Sequence, residues 1–232
     1  MLDYLAQLVR HGRIDPVEYY VSDRHRAVYV ENAKVACTAI KAAMFPDAAA
    51  KGLSQTAFHE ALRGHAHHRL PTIAYNYLVF TFVRHPEARL QSCYRDKVQR
   101  NAHEDGPSIL HRRFHRGLFA TLGGVDIRAD GLPFERFAEA VARIPDRVSD
   151  RHFASQSRAV EAVQRAENSF VGQLETLRRD WAEIQAMTGL PDLAIANRSA
   201  AEGGTTATSP VARSVIARRY ARDFKVLGYA YE

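Results

Sequence analysis

Residues 77–86 read YLVFTFVRHP, in which seven apolar, aromatic or β-branched residues precede an arginine, a histidine and a proline. This run predicts a buried strand over 77–83, and the proline suits the first turn of a helix whose spacing continues through 87–101. The same order occurs earlier, where RAVYVE at 26–31 predicts a strand and 37–45 predicts a helix that a proline ends. Two strand–loop–helix units in series indicate an α/β fold with a central parallel sheet flanked by helices.

The rest of the chain adds elements around these units and shows no internal repeat and no second-domain boundary. We therefore expect one domain over 1–232 that begins with an N-terminal helical extension over 1–25. Residues 197–210 (NRSAAEGGTTATSP) are rich in Gly, Ser and Thr, which predicts a flexible loop. Further helices are predicted at 133–144, 174–188 and 211–223, and a short strand is predicted at 169–171.

The charge balance favours an anionic ligand. The chain of 232 residues has 32 Lys and Arg against 26 Asp and Glu, a net charge of +6, and only five of the basic residues are lysines. The planar arginine fork suits bidentate contact with phosphate or sulfate oxygens. The same excess of charge also fits an ordinary protein surface.

Several classes of protein are excluded. The longest apolar run has seven residues, whereas a bilayer span needs about 20. The N-terminus lacks the basic start and apolar stretch of a signal peptide. Two cysteines cannot build a disulfide framework or a cysteine zinc site. These features predict a soluble, cytoplasmic protein with no transmembrane segment.

The first segment that carries chemistry is YVENAKVACTAIK at 29–41. A strand runs into a turn with one lysine, Lys34, and then into a helix with Thr38 in its first turn. A helix N-terminus offers unpaired N–H groups and a positive dipole end, which together bind anions. The segment has no glycine and no GxxxxGK[ST] pattern, which disfavours a nucleoside triphosphate with Mg²⁺. Taken alone, the segment is weak evidence for such a site, because a strand-to-helix turn with a solvated lysine is common.

The second segment is FVRHPEARLQSCYRDK at 82–97. Arg84 ends the strand, at the edge where ligands of open α/β sheets bind. Ser92 lies eight residues later on the next helix, so an arginine from the loop and a hydroxyl from the helix fit one phosphate. The alternative is that Arg84 pairs with a nearby acid such as Glu87 or Asp96.

Together the two segments resemble the nucleotide site of sulfotransferases that use 3′-phosphoadenosine 5′-phosphosulfate (PAPS). The resemblance is to the carbohydrate sulfotransferases of family 2, chondroitin/dermatan 4-O and HNK-1 type, with their VRxPxxRLxSxYRxK stretch. Residues 150–156 (DRHFASQ) are similar to the D-x-H-W-x-P-Q segment of that group, and 170–180 and 220–229 match its later segments. The resemblance implies a P-loop-like sulfotransferase fold and an enzyme that moves a sulfuryl group (EC 2.8.2 type) from PAPS to a hydroxyl, most simply on a carbohydrate or glycan.

The resemblance also implies roles for individual residues. Arg84 and Ser92 hold the 3′-phosphate, and no metal is needed. Lys34 is both a catalytic residue, which stabilises charge on the leaving oxygen, and a ligand of the phosphosulfate. The residues implied around the 5′-phosphosulfate are Lys34, Val35, Ala36, Cys37, Thr38 and Ala39.

A base for the acceptor proton is expected among the histidines. GHAHHR at 64–69 offers His65 first and His67 next, although this loop also fits a solvated basic segment or a weak metal site. His152 is a further candidate for contact with the acceptor or for the base, unless it merely ties down a loop through Asp150. Arg112 belongs to a basic stretch that fits an anionic acceptor or a solvated helix face.

Two other functions stay open at this stage. A nucleotide kinase or another P-loop transferase shares the scaffold, but the missing GK[ST] and the Arg84–Ser92 pair argue against it. A basic nucleic-acid-binding module needs an aromatic sheet face or a recognition helix, and the sequence shows neither. We therefore expect no nucleic-acid partner.

Overall fold

The computed structural model describes residues 2–99, 132–194 and 208–231. The chain forms two compact units, each assembled from segments that are distant in sequence. Of the described residues, the helical unit contains 2–16, 85–99, 132–155 and 208–231, and the sheet unit contains 17–84 and 156–194.

The strands predicted at 26–31, 77–83 and 169–171 and the helices predicted at 37–45, 133–144 and 174–188 are confirmed to within a few residues. The helix predicted at 87–101 is an α-helix only as far as Tyr94, and the helix predicted at 211–223 is divided in two at Tyr220. The loop predicted at 197–210 lies, up to residue 207, outside the described residues.

The strands are β1 (Tyr19–Ser22), β2 (Ala27–Val30), β3 (Ala66–His67), β4 (Leu78–Val83) and β5 (Ser169–Gln173). The helices are α1 (Leu2–His11), α2 (Cys37–Met44), α3 (Pro46–Ala49), α4 (Gln55–Ala61), α5 (Pro86–Tyr94), α6 (Phe134–Arg143), α7 (Ser157–Val163), α8 (Leu177–Thr188), α9 (Pro210–Arg219) and α10 (Ala221–Leu227). No helix in the described ranges is long and apolar enough to cross a membrane.

All five strands form one sheet in the order β3-β1-β2-β4-β5. β4 pairs in parallel with both β2 and β5, whereas β1 is antiparallel to β2 and β3. The α/β fold with a mainly parallel sheet is thereby confirmed.

Strand β1 corrects the expectation of a helical extension over 1–25. Only α1 is helical there, whereas YYVS at 19–22 pairs with β2 through a short turn. These residues include aromatic and β-branched side chains, which favour strands. A turn and a second strand follow β1, so the strand–loop–helix order that marks β2 in the sequence is absent here.

Helices cover both faces of the sheet, so its central strands β2 and β4 are almost wholly apolar. On one face Tyr29, Phe80 and Phe82 pack against Ile40 of α2 and Trp181 of α8. On the opposite face Val28, Val30 and Val79 pack against Ala159 and Val163 of α7. The loops that follow β2 and β4 therefore leave the sheet from a rigid, double-sided core.

The helical unit has its own apolar core, built from α5, α6, α9 and α10. Its buried members include Tyr94, Phe137 and Phe224. Arg89 of α5 is almost fully buried and donates to the carbonyl oxygens of Ala154 and Arg151, at 2.8 Å each. This arginine ties α5 to the segment that ends at Ser155, because a buried guanidinium needs acceptors for its N–H groups.

Candidate functional site

The loop between β2 and α2 has two left-handed residues that are not glycine. Lys34 has φ 69° and Ala36 has φ 54°, and they flank Val35. An L-residue pays roughly 1–2 kcal/mol for this conformation, so the surrounding structure must hold it. Where the backbone alternates between the right-handed and left-handed regions, successive N–H groups point towards a common centre, as they do in anion-binding nests.

This loop leads directly into the N-terminus of α2. Ala36 occupies the N-cap position, and no side chain caps the helix there. The first N–H groups of a helix have no acceptor within the helix, and they carry the positive end of its dipole. Val35 is buried in the apolar layer beneath and anchors the turn. The segment predicted from sequence to hold the phosphosulfate, Lys34 to Ala39, therefore forms one continuous turn into a helix.

Thr38, in the first turn of α2, contacts two side chains of α4. Its Oγ1 lies 3.1 Å from Nε2 of His59 and accepts a hydrogen bond of 3.1 Å from the Gln55 amide. The other ring nitrogen of His59, Nδ1, lies 3.1 Å from Nζ of Lys41. The candidate hydroxyl is therefore one end of a connected polar network.

The network ends in a buried ion pair. The Lys41 side chain is only 2% exposed, and its Nζ lies 2.7 Å from Oε1 of Glu31 and 4.2 Å from the centre of the Tyr20 ring. A buried ammonium requires such partners, because its transfer from water without them is costly. Glu31 directly follows β2, so the pair fixes the start of the loop to the middle of α2.

The sequence interpretation missed His59, Lys41 and Glu31. One signal was available: Lys41 shares the apolar face of α2 with Ile40 and Met44. A lysine at such a position needs a partner of opposite charge. No comparable signal identifies His59, because its role depends on how α4 packs.

A second network holds the loop after β4. The Gln156 side chain accepts from the backbone N–H of Arg84 (3.0 Å) and donates to the carbonyl oxygen of Arg84 (2.7 Å). Asn32 donates to Oε1 of Gln156 (3.1 Å) and to the carbonyl oxygen of Phe82 (2.9 Å). Asn32 and Gln156 are both buried, so these hydrogen bonds fix the backbone on which Arg84 is carried.

The loops that carry Lys34 and Arg84 emerge from the same edge of the sheet. β2 and β4 are parallel neighbours, with Tyr29 opposite Phe80. Parallel strands of one sheet lie about 5 Å apart, and their carboxyl ends meet at one edge. The two loops are therefore neighbours at that edge, and binding of one anionic ligand by both residues stays a prediction.

Ser92 belongs to the helical unit. It is a buried residue of α5. The pairing of its hydroxyl with Arg84 on one phosphate stays a prediction.

His65 and His67 lie in the sheet unit, His65 against the end of α2 and His67 in β3. The His65 ring packs on Phe45, with ring centres 5.1 Å apart. Phe45 follows the last residue of α2, whereas Thr38 is in its first turn. Because a helix of eight residues is about 12 Å long, His65 packs at the end of α2 opposite to the end that carries Thr38. His67 is paired with Tyr19, which is paired with Val30 at the end of β2. His67 is therefore level with the carboxyl end of β2, two strands or about 10 Å away.

His152 lies in the helical unit and is held by Asp150. The Asp150 carboxylate accepts from the backbone N–H of His152 at 2.8 Å and lies 2.5 Å from its Nδ1. Burial by itself raises the pKa of Asp150, but the charge and the hydrogen bonds of His152 outweigh burial and lower that pKa to about 2. A carboxylate on Nδ1 orients the ring, so the loop-fixing contact that the sequence suggested is present.

The remaining site prediction, Arg112, lies outside the described residues. Among the described ones there is no cluster of three or more His, Cys, Asp or Glu side chains that could hold a metal ion.

Comparison with known proteins gives one match. The model of a family described as "Sulfotransferase family" matches residues 17–230. Neither the curated proteins nor the solved structures give a match. The matched range contains the whole sheet unit, including both loops described above.

Proposed function

The chain belongs to the sulfotransferase family, and from this premise we propose that it transfers a sulfuryl group from PAPS to a hydroxyl of a carbohydrate acceptor. The observation that carries the proposal is the loop of residues 31–36. It combines an uncapped helix start, two left-handed residues and a lysine at the edge of a parallel sheet. These are features that bind a doubly charged, tetrahedral anion.

The phosphosulfate side of the site is proposed to be Lys34 together with the turn that follows it. The backbone N–H groups of 35–39 and the Thr38 hydroxyl would bind the anionic oxygens. PAPS supplies the sulfuryl group and departs as 3′-phosphoadenosine 5′-phosphate (PAP). The Lys34 ammonium would stabilise the negative charge that develops on the oxygen that loses the sulfuryl group.

The 3′-phosphate is proposed to bind Arg84 and Ser92. Support for Arg84 comes from its place at the carboxyl edge of β4 and from the amide of Gln156, which fixes its backbone on both sides. An arginine on a fixed backbone presents its fork with less entropy loss, which favours bidentate binding of phosphate.

The acceptor hydroxyl must lose its proton as the new S–O bond forms, and a histidine is proposed to take it. His65 and His67 stay the candidates in the sheet unit. His152, whose ring Asp150 orients, is proposed to contact the acceptor and is the alternative base. Arg112 is proposed to contact an acidic glycan.

Transfer of radiolabelled sulfate from PAPS to a panel of oligosaccharides tests this function. We expect labelled product with at least one oligosaccharide and none with matched deoxy sugars. Lys34→Ala should lower kcat by about 10²–10³-fold, the usual loss when a charge-stabilising group is removed. The control is Lys51→Ala, which alters an exposed lysine in the turn after α3. Equal turnover of Lys34→Ala and wild type would contradict the assignment.

A further inference from the structure

In the polar network around Thr38, the donor and the acceptor of each hydrogen bond can be assigned. The network connects Glu31, Lys41, His59 and Thr38 in that order, and Gln55 joins at the threonine. Lysine ammonium groups have donors and no acceptor. The partner of Lys41 on the His59 ring, Nδ1, is therefore an acceptor and carries no proton.

The tautomer of His59 follows from this contact. With Nδ1 accepting from Lys41, the proton of the neutral imidazole is on Nε2. Nε2 lies 3.1 Å from Oγ1 of Thr38, so His59 donates to the hydroxyl. The buried Glu31–Lys41 pair thus fixes the tautomer of His59, which lies at the candidate site.

Thr38 then accepts two hydrogen bonds, one from His59 and one from Gln55, each 3.1 Å long. A hydroxyl oxygen has two lone pairs and one proton. Because both lone pairs of Oγ1 accept hydrogen bonds, the hydroxyl proton points in the remaining direction and can be donated to a third group. The hydroxyl is thereby arranged as a donor before any ligand arrives.

We propose that His59 is a positioning residue that holds the Thr38 hydroxyl as a hydrogen-bond donor to the 5′-anionic group of the bound nucleotide. The inference rests on the proposed function for the identity of that nucleotide. Preorganisation of this kind strengthens binding because the hydroxyl needs no reorientation. His59 acts through Thr38 and does not itself touch the anion.

Two amide substitutions of His59 separate this role from simple packing. Glutamine places its amide N–H near the position of Nε2 and can donate to Thr38. Asparagine is shorter, reaches only the position of Nδ1, and can serve Lys41 but not Thr38. Calorimetric titration with PAP and with 5′-AMP measures each variant, and thermal unfolding verifies that it is folded.

His59→Gln should bind PAP within about threefold of wild type. His59→Asn and His59→Ala should bind PAP about tenfold more weakly, which is the loss expected for one oriented hydrogen bond to a charged group. In a Thr38→Ala background the His59→Asn substitution should cause no further loss. His25→Ala, in the turn between β1 and β2, is the control histidine and should bind like wild type.

The outcomes distinguish this inference from the proposed function. Equal losses in His59→Gln and His59→Asn, or an additive loss in the Thr38→Ala background, would overturn the positioning role. Unchanged affinity with a large loss of kcat in His59→Asn would also overturn it and indicate a base. If wild type binds PAP and 5′-AMP equally but both weaken in His59→Asn, the positioning role stands and the PAPS assignment fails. If wild type binds neither nucleotide, both fail.

Discussion

Replacing Gln156 by leucine removes the side-chain amide that links the loops after β2 and β4. Leucine has a similar volume and suits the buried position, so the substitution chiefly deletes hydrogen bonds. The bonds lost include one with Asn32 and two with the backbone of Arg84, at 3.1, 3.0 and 2.7 Å. Asn32 keeps its bond to the Phe82 carbonyl oxygen.

The size of the effect follows from these three bonds. Each contributes about 1 kcal/mol, and a buried group left without a partner costs about 1–3 kcal/mol. We therefore expect Gln156→Leu to lower the free energy of unfolding by about 3 kcal/mol. For a chain of this length that corresponds to a fall in Tm of roughly 6–12 °C. The backbone of Arg84 also loses these two hydrogen bonds, so the preference for PAP over 5′-AMP should fall.

Thermal unfolding and calorimetric titration measure the two effects on the same protein. Gln164→Leu is the matched control, because Gln164 is an exposed residue at the opposite end of α7. It should change stability by no more than about 0.5 kcal/mol. The reasoning is refuted if Gln156→Leu is as stable as the control, or if it keeps the full preference for PAP.

Three further substitutions test other parts of the structure. Glu31→Ala leaves the buried Lys41 ammonium without its carboxylate and should lower the free energy of unfolding, measured by chemical denaturation, by about 3–5 kcal/mol. Adding Lys41→Met should recover most of that loss, and a loss below about 1 kcal/mol would contradict the buried pair. Ala36→Gly relieves a left-handed alanine and should raise the free energy of unfolding by up to about 1 kcal/mol, whereas a clear loss would argue against that backbone. Because His152 holds the pKa of Asp150 near 2, below its usual 3.8, the carboxylate adds up to about 2 kcal/mol above pH 4, and this is lost as the pH falls from 4 to 2. Asp150→Asn should therefore flatten the dependence of stability on pH over that range, and an unchanged acid limb would contradict the assignment.

The sequence predicted the parts of the fold that are governed by local pattern. β4 and the turn from β2 into α2 were identifiable, because an apolar run that ends in polar residues precedes a helical pattern in both places. Neither β1 nor β3 is followed by an α-helix, so no strand–loop–helix pattern marks them. Their pairing depends on neighbours rather than on periodicity, so neither could be read from the sequence.

The candidate site divides in the same way. Lys34 and Arg84 end or follow strands, and a resemblance in local motifs suffices to select them. Gln156 acts on a backbone 72 residues away in sequence, and His59 reaches Thr38 only because α4 packs beside α2. Such partners are set by tertiary packing, and a single sequence carries little record of it.

The measurement that tests the central claim most directly is calorimetric titration of PAP and 5′-AMP into wild type and Arg84→Ala. The two nucleotides differ by the 3′-phosphate alone. We expect wild type to bind PAP about 10–100-fold more tightly than 5′-AMP, the range for one charge-assisted contact. Arg84→Ala should lose most of that difference while its affinity for 5′-AMP is unchanged. Equal binding of the two nucleotides by wild type, or an undiminished preference in Arg84→Ala, would contradict the account.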